Sequence, residues 1–155
     1  MNKPGRLAGC ILLCLIPGFL GSLATMQNIP TWYEALNQPS FTPPDWVFGP
    51  VWTMLYFMMG FTLYFVSLKQ GVAARRAQIL FLVHLVVNLA WSVVFFGLHQ
   101  IGAAMAVIVL LWLMIFYCIG LFCNIDKRAA YLLLPYLGWV SFAMALNHSF
   151  LVLNP

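Results

Sequence analysis

The stretch ILFLVHLVVNLAWSVVFFGL, residues 79–98, runs for twenty residues without an acidic residue, lysine or arginine. As an α-helix rising 1.5 Å per residue, about twenty residues span ~30 Å, the thickness of a bilayer's hydrocarbon core. The stretch is therefore read as a membrane span. Within it His84, Asn88, Trp91 and Phe95 fall at offsets of four, seven and eleven, which places them in one stripe along the helix. Polar groups in lipid need partners, so that stripe is expected to face other helices, and the span to belong to a bundle.

Working outward, further apolar runs appear at residues 7–26, 47–68, 103–123 and 131–153. Pro17, Gly18 and Gly21 interrupt the first, which is tolerable in lipid when neighbouring helices satisfy the freed carbonyls. Lys3 and Arg6 ahead of that run, and Ser22-Leu23-Ala24 near its end, also fit a cleavable signal, but the segment is expected to remain as the first span. Residues 27–44 form a long connection in which Pro30, Pro39, Pro43 and Pro44 stop a helix from running through. A loop of that length is usually functional or disordered, and Trp32, Tyr33 and Phe41 argue for order. Asp45 is expected to cap the second span, with Pro50 near its first turn. The reading is thus an all-α bundle of five transmembrane helices in one domain, residues 1–155.

Composition supports the bundle. The chain is 64% hydrophobic and 6% charged, where soluble domains carry about 25% charge. Such a chain cannot cover itself with polar surface, so lipid is its solvent. Its basic residues are Lys3, Arg6, Lys69, Arg75, Arg76, Lys127 and Arg128, and a five-span topology puts all of them on one side. The positive-inside rule then predicts a cytoplasmic N-terminus and an external aromatic loop. The short N-terminus lacks an Arg/Ser-rich transit segment, which favours a bacterial cytoplasmic membrane. No basic face is clustered as nucleic-acid binding requires, so that partner is excluded.

The three carboxylates, Glu34, Asp45 and Asp126, fall in loops or at span ends. Proton-coupled pumps use an intramembrane acid, and hydrolytic triads need one beside their histidine, so both classes are disfavoured. Cys10, Cys14, Cys118 and Cys123 lie in apolar runs without metal-ligand spacing, and neither a metal nor a resident cofactor is expected.

Indole is abundant instead, with six tryptophans. Trp32, Trp46 and Trp112 are expected to serve as interfacial belts. The depth of Trp52, Trp91 and Trp139, together with Asn88, points equally to plain packing or to a lined pocket for a large, flat, mostly apolar ligand. Trp52 and Tyr56 share one face of the second span, and Tyr136, Ala143 and Asn147 one face of the fifth. The pairs Gly5–Gly9 and Gly102–Ala106 offer close helix contact within the chain or in a homodimer.

Three ordered motifs carry a resemblance. They are Trp32-Tyr33 followed by PSFTPPDWVFGPVWT (residues 39–53), NLAWS with FFG (88–97), and LPYLGW with Phe142-Ala143 and Leu146-Asn147 (134–147). From about Gly18 to Asn154 the chain resembles the tryptophan-rich sensory protein or translocator protein family, also known as the peripheral benzodiazepine receptor family.

The resemblance implies a five-helix bundle, commonly dimeric, whose pocket beneath the first loop binds protoporphyrin IX and benzodiazepine-type drugs. Carried over by position, Trp52 and Trp139 match indoles implicated in porphyrin binding and photo-oxidative degradation. Tyr33 matches a loop aromatic over the pocket, Asn88 a ligand-bonding amide, and Ala143 lies in the segment tied to sterol and ligand affinity. Phe41 stands where many members have tryptophan, and the fifth span has no Lys or Arg after Tyr136, which leaves the animal sterol motif incomplete.

Three functions follow from this reading. The first is a porphyrin-binding receptor or regulator; the second is an enzyme degrading porphyrin under light through Trp52 and Trp139. A transporter of porphyrin or sterol ranks third, because an odd span count does not divide into two equal repeats.

Overall fold

The computed structural model describes residues 3–155, and these are helical over nearly their whole length, with no strand among them. Helix α1 is Lys3–Asn28, α2 Phe48–Ser67, α3 Val72–Ser92, α4 Ile101–Ile125, α5 Lys127–Leu132 and α6 Leu134–Leu153. With their extensions they make five helical stretches long and apolar enough to cross a membrane: Lys3–Tyr33, Asp45–Ser67, Val72–Gly97, Ile101–Ile125 and Lys127–Leu153. The chain is a multi-pass membrane protein. Large apolar side chains on its outer surface, among them Leu12, Phe57, Val86, Leu110, Phe116 and Val152, face where lipid lies.

The helices form a ring. α1 packs on α2 and α3, α3 on α4, α4 on α5 and α6, and α5 closes the ring against α2. Small residues set the closest approaches: a Cβ on Gly60 would lie 2.7 Å from the Ile11 Cα, and one on Gly18 would run into the Tyr56 ring. Glycine at these positions lets α1 and α2 touch backbone to side chain, the usual device for helix association in lipid.

Several boundaries differ from the sequence reading. The first span continues past Met26 through Asn28 and a π-helical turn, Ile29–Tyr33, so Pro30 sits inside helix and the true loop is residues 34–44. An α turn would set the proline ring against the carbonyl four residues back, and the helix passes Pro30 as a π turn instead. Asp45 opens the second span but caps nothing; Pro44 occupies the N-cap position of a 3₁₀ turn, Asp45–Val47.

Asp126 is a true cap, accepting from the Arg128 N–H at 3.1 Å. Leu133 interrupts the fifth span just before Pro135, which has no N–H to continue the helix. A second π turn, Val93–Gly97, ends the third span, and His99 in a left-handed conformation (φ 57°) reverses the chain into α4.

The loop is tied down at both ends. Asn37 and Asn154 exchange bonds, the Asn37 N–H reaching the Asn154 side-chain oxygen at 2.9 Å and the Asn154 amide the Asn37 carbonyl at 3.1 Å. Further along the loop Phe41 lies against Phe142, ring centres 6.3 Å apart. At the opposite end Arg6 donates to the Ser67 carbonyl, and Asp126 bridges Lys69 (3.3 Å) and Arg128 (2.9 Å). Arg128 also covers the Phe65 ring at 4.4 Å.

Candidate functional site

The stripe on α3 faces protein along its length, with His84, Asn88, Trp91 and Phe95 all buried. Asn88 sits at its centre. Its side-chain oxygen accepts from the Tyr56 hydroxyl at 2.6 Å and its amide donates to the Tyr136 oxygen at 3.0 Å. One turn further, the Trp91 indole donates to Asn147 at 3.2 Å, and Asn147 in turn donates to the Ile101 carbonyl at 3.0 Å. The second, third, fourth and fifth spans are thereby joined through two amides, each with both ends engaged.

Above this polar floor lies a cavity of about 680 Å³ between α1, α2 and α3. Drug-sized ligands occupy sites of roughly 300–1,000 Å³. One wall is aromatic: Trp52 stacks on Tyr56 with ring centres 5.7 Å apart and stands 6.4 Å from Trp91. Trp46, Phe48 and Phe96 complete it. The facing wall is α1, which presents the small residues Gly18, Gly21, Ser22 and Thr25. Their hydroxyls are spent locally, Ser22 on the Phe19 carbonyl at 2.7 Å and Thr25 on that of Gly21 at 2.9 Å. The cavity opens sideways between α1 and α2, where Phe19, Met26 and Trp46 are 66%, 71% and 75% exposed.

A much smaller recess of about 20 Å³ lies behind, bounded by Tyr33, Phe95, Ala143, Leu146, Asn147 and Phe150. Phe48, Trp91 and Phe96 border both spaces and form the partition between them. Trp139 lies beyond Phe48 at 6.1 Å, its indole N–H buried and without a partner among the described residues.

The residues singled out from sequence are therefore divided. Trp52 and Trp91 line the cavity; Tyr33 and Ala143 line the recess; Asn88 lies beneath as a strut and Trp139 to one side. Trp46 borders the cavity as well as facing outward, whereas Trp112 clasps α4 to α6 through Ser141 at 2.8 Å. Trp32 stacks on His99, ring centres 4.3 Å apart. Among the described residues no three of His, Cys, Asp and Glu gather as a metal site would require.

The α1 wall is not among the residues singled out from sequence, where Asp45 figures only as a cap. The signal was present, since Gly18, Gly21, Ser22 and Thr25 recur at offsets of three, four and seven, a small-residue face on an otherwise bulky helix.

The aromatic motifs that build this wall match a known family over residues 10–153, described as the TspO/MBR family. The chain belongs to the TspO/MBR family. It is similar over its whole length to the tryptophan-rich protein TspO of Chlorobaculum tepidum, with 45% identity covering all of both chains. A tryptophan-rich protein TspO from Archaeoglobus fulgidus is 40% identical, over 96% of this chain and 97% of its own. The translocator protein of Bos taurus is 34% identical over 90% of this chain and 85% of its own. The TspO/MBR assignment and the five-helix bundle agree in describing a multi-pass membrane protein.

Proposed function

We propose that the cavity between α1, α2 and α3 binds protoporphyrin IX and other large, flat, mainly apolar molecules, making this protein a membrane receptor or regulator. One observation carries the reading: about 680 Å³ of space is walled by Trp46, Trp52 and Trp91 together with Tyr56, Phe48 and Phe96. Aromatic faces stack offset on a planar ligand, each pair contributing roughly 0.5–1.5 kcal/mol beyond its buried area. Trp52 and Trp91 are the ligand's stacking surfaces. Tyr33 and Ala143 join the site when the partition side chains turn, Trp139 supplies its unpartnered indole N–H, and Asn88 acts by holding Tyr56 in place. Relatives named for sensing and for translocation, the tryptophan-rich sensory protein of Cereibacter sphaeroides among them, are consistent with a ligand-responsive role.

The basic end of the bundle faces the cytoplasm in this reading, and the loop end lies outside, in the orientation the Lys and Arg bias favours. The protein works as a homodimer, as the family resemblance implies, with each chain holding its own cavity. A second reading, light-driven porphyrin breakdown, rests on Trp52, whose indole borders the cavity directly and stacks on an oxidisable phenol. A coupled pump is disfavoured by the placement of Glu34, Asp45 and Asp126 at the ends of spans.

The test is a tryptophan-fluorescence titration of the purified protein with protoporphyrin IX, in the dark and under light, with Trp52→Phe and Trp139→Phe beside wild type. A receptor gives saturable quenching and a porphyrin absorption band that survives illumination. Light-dependent loss of that band, abolished in both variants while binding persists, replaces the receptor with the enzyme; absence of saturable quenching removes the porphyrin reading.

A further inference from the structure

The three acids of the chain have different surroundings. Asp126 is consumed by Lys69 and Arg128 at the basic end. Asp45 and Glu34 stand at the other end, where the topology places none of the seven Lys and Arg. Asp45 borders the cavity beside Trp46, half-buried, and its carboxylate makes no ion pair or side-chain hydrogen bond among the described residues. It does not cap the turn it begins. Among the described residues it is the one charged residue lining the cavity; the remaining polar groups there are uncharged indole N–H groups and hydroxyls, those of Ser22, Thr25 and Thr53 spent on carbonyls of their own helices.

A lone carboxylate at the mouth of an indole-walled cavity is a combination that selects by charge. Indole faces attract cations through the ring quadrupole, and an opposite charge nearby adds a Coulomb term that is weakly screened where lipid and protein exclude water. An anion meets both effects with reversed sign. We infer that Asp45 makes this cavity selective for lipophilic cations, organic molecules carrying a delocalised or amine-borne positive charge on an apolar body, entering between α1 and α2. The inference rests on the reading of the cavity as a ligand site. It also fixes an orientation for a dicarboxylic porphyrin, whose carboxylates turn away from Asp45.

Tetraphenylphosphonium and tetraphenylborate test this directly, being nearly the same size and shape with opposite charge. Each is titrated into wild type and Asp45→Asn in uncharged detergent, with bound probe read by tryptophan quenching; protoporphyrin IX is run on the same preparations. Comparing one probe across the two proteins cancels its partition into detergent. Asp45→Asn is expected to weaken tetraphenylphosphonium about tenfold and to leave tetraphenylborate unchanged or tighter. Asp45→Glu restores the preference. Equal effects on both probes, or none, overturn the charge selectivity while saturable porphyrin binding keeps the site. Failure of all three ligands to saturate a folded wild type removes both.

Discussion

The Tyr56 hydroxyl donates to the Asn88 side-chain oxygen at 2.6 Å, across the interface between the second and third spans. Since Tyr56 also forms the inner end of the cavity wall, this bond fixes the ring against which Trp52 stacks. A double-mutant cycle of Tyr56→Phe with Asn88→Leu is expected to give a coupling of about 0.5–1.5 kcal/mol, the range of hydrogen bonds between membrane helices. Unfolding by sodium dodecyl sulfate in mixed micelles measures it. Zero coupling would mean that the amide holds nothing.

Gly60 lies where α1 and α2 come closest, and a methyl there meets the Ile11 backbone at 2.7 Å. Gly60→Ala is expected to cost about 1–3 kcal/mol in the same assay, because backbone cannot move aside as a flexible side chain does. Gly120 and Gly138 have open space around the same added methyl. Alanine at either is expected to be neutral or to stabilise by up to about 1 kcal/mol through helix propensity. A Gly60→Ala protein as stable as Gly138→Ala would contradict the packing described for α1 and α2.

Asp126 ties the end of the second span to the start of the fifth, and hydrogen bonds from Arg128, first of all, hold its carboxyl well below the usual carboxylate range. A depressed folded-state pKa contributes stability that is fully present above the unfolded value, near 3.9, and is lost as pH falls below it toward the folded one. Thermal stability is therefore expected to fall on acidification below about pH 4, and less steeply in Asp126→Asn, which is already weakened at neutral pH. Parallel acid profiles for the two proteins would remove Asp126 from the account.

The bundle was legible because lipid imposes a simple rule: backbone must be paired within each span, so apolar runs of about twenty residues announce themselves. Residues 79–98 and the one-sided Lys and Arg were enough for that. The walls of the site were only half legible. Trp52 and Trp91 project inward at a depth where a belt has no use, and they line the cavity. The resemblance makes Asn88 a ligand-bonding amide, and in the structure its partners are Tyr56 and Tyr136. Periodicity fixes the face a residue occupies but not which neighbours satisfy it. The first span was read as ending at Met26 because Pro30 follows, yet a π turn carries helix on to Tyr33 and brings that ring to 5.7 Å from Phe96. The closeness of α1 to Tyr56 and Ser92 at Gly18 and Gly21 is a property of absent side chains, which hydropathy does not register.

The central claim is that ligand occupies the space between α1, α2 and α3. Ser22 faces that space from a partly exposed position on α1, so Ser22→Phe fills the cavity without burying a ring in the packed core. The decisive measurement is a protoporphyrin IX titration of Ser22→Phe against wild type, with unfolding curves run on both. The account predicts wild-type stability within about 0.5 kcal/mol and a loss of affinity of at least tenfold in the variant. Unchanged saturable binding in a folded Ser22→Phe protein would place the ligand elsewhere and contradict the account.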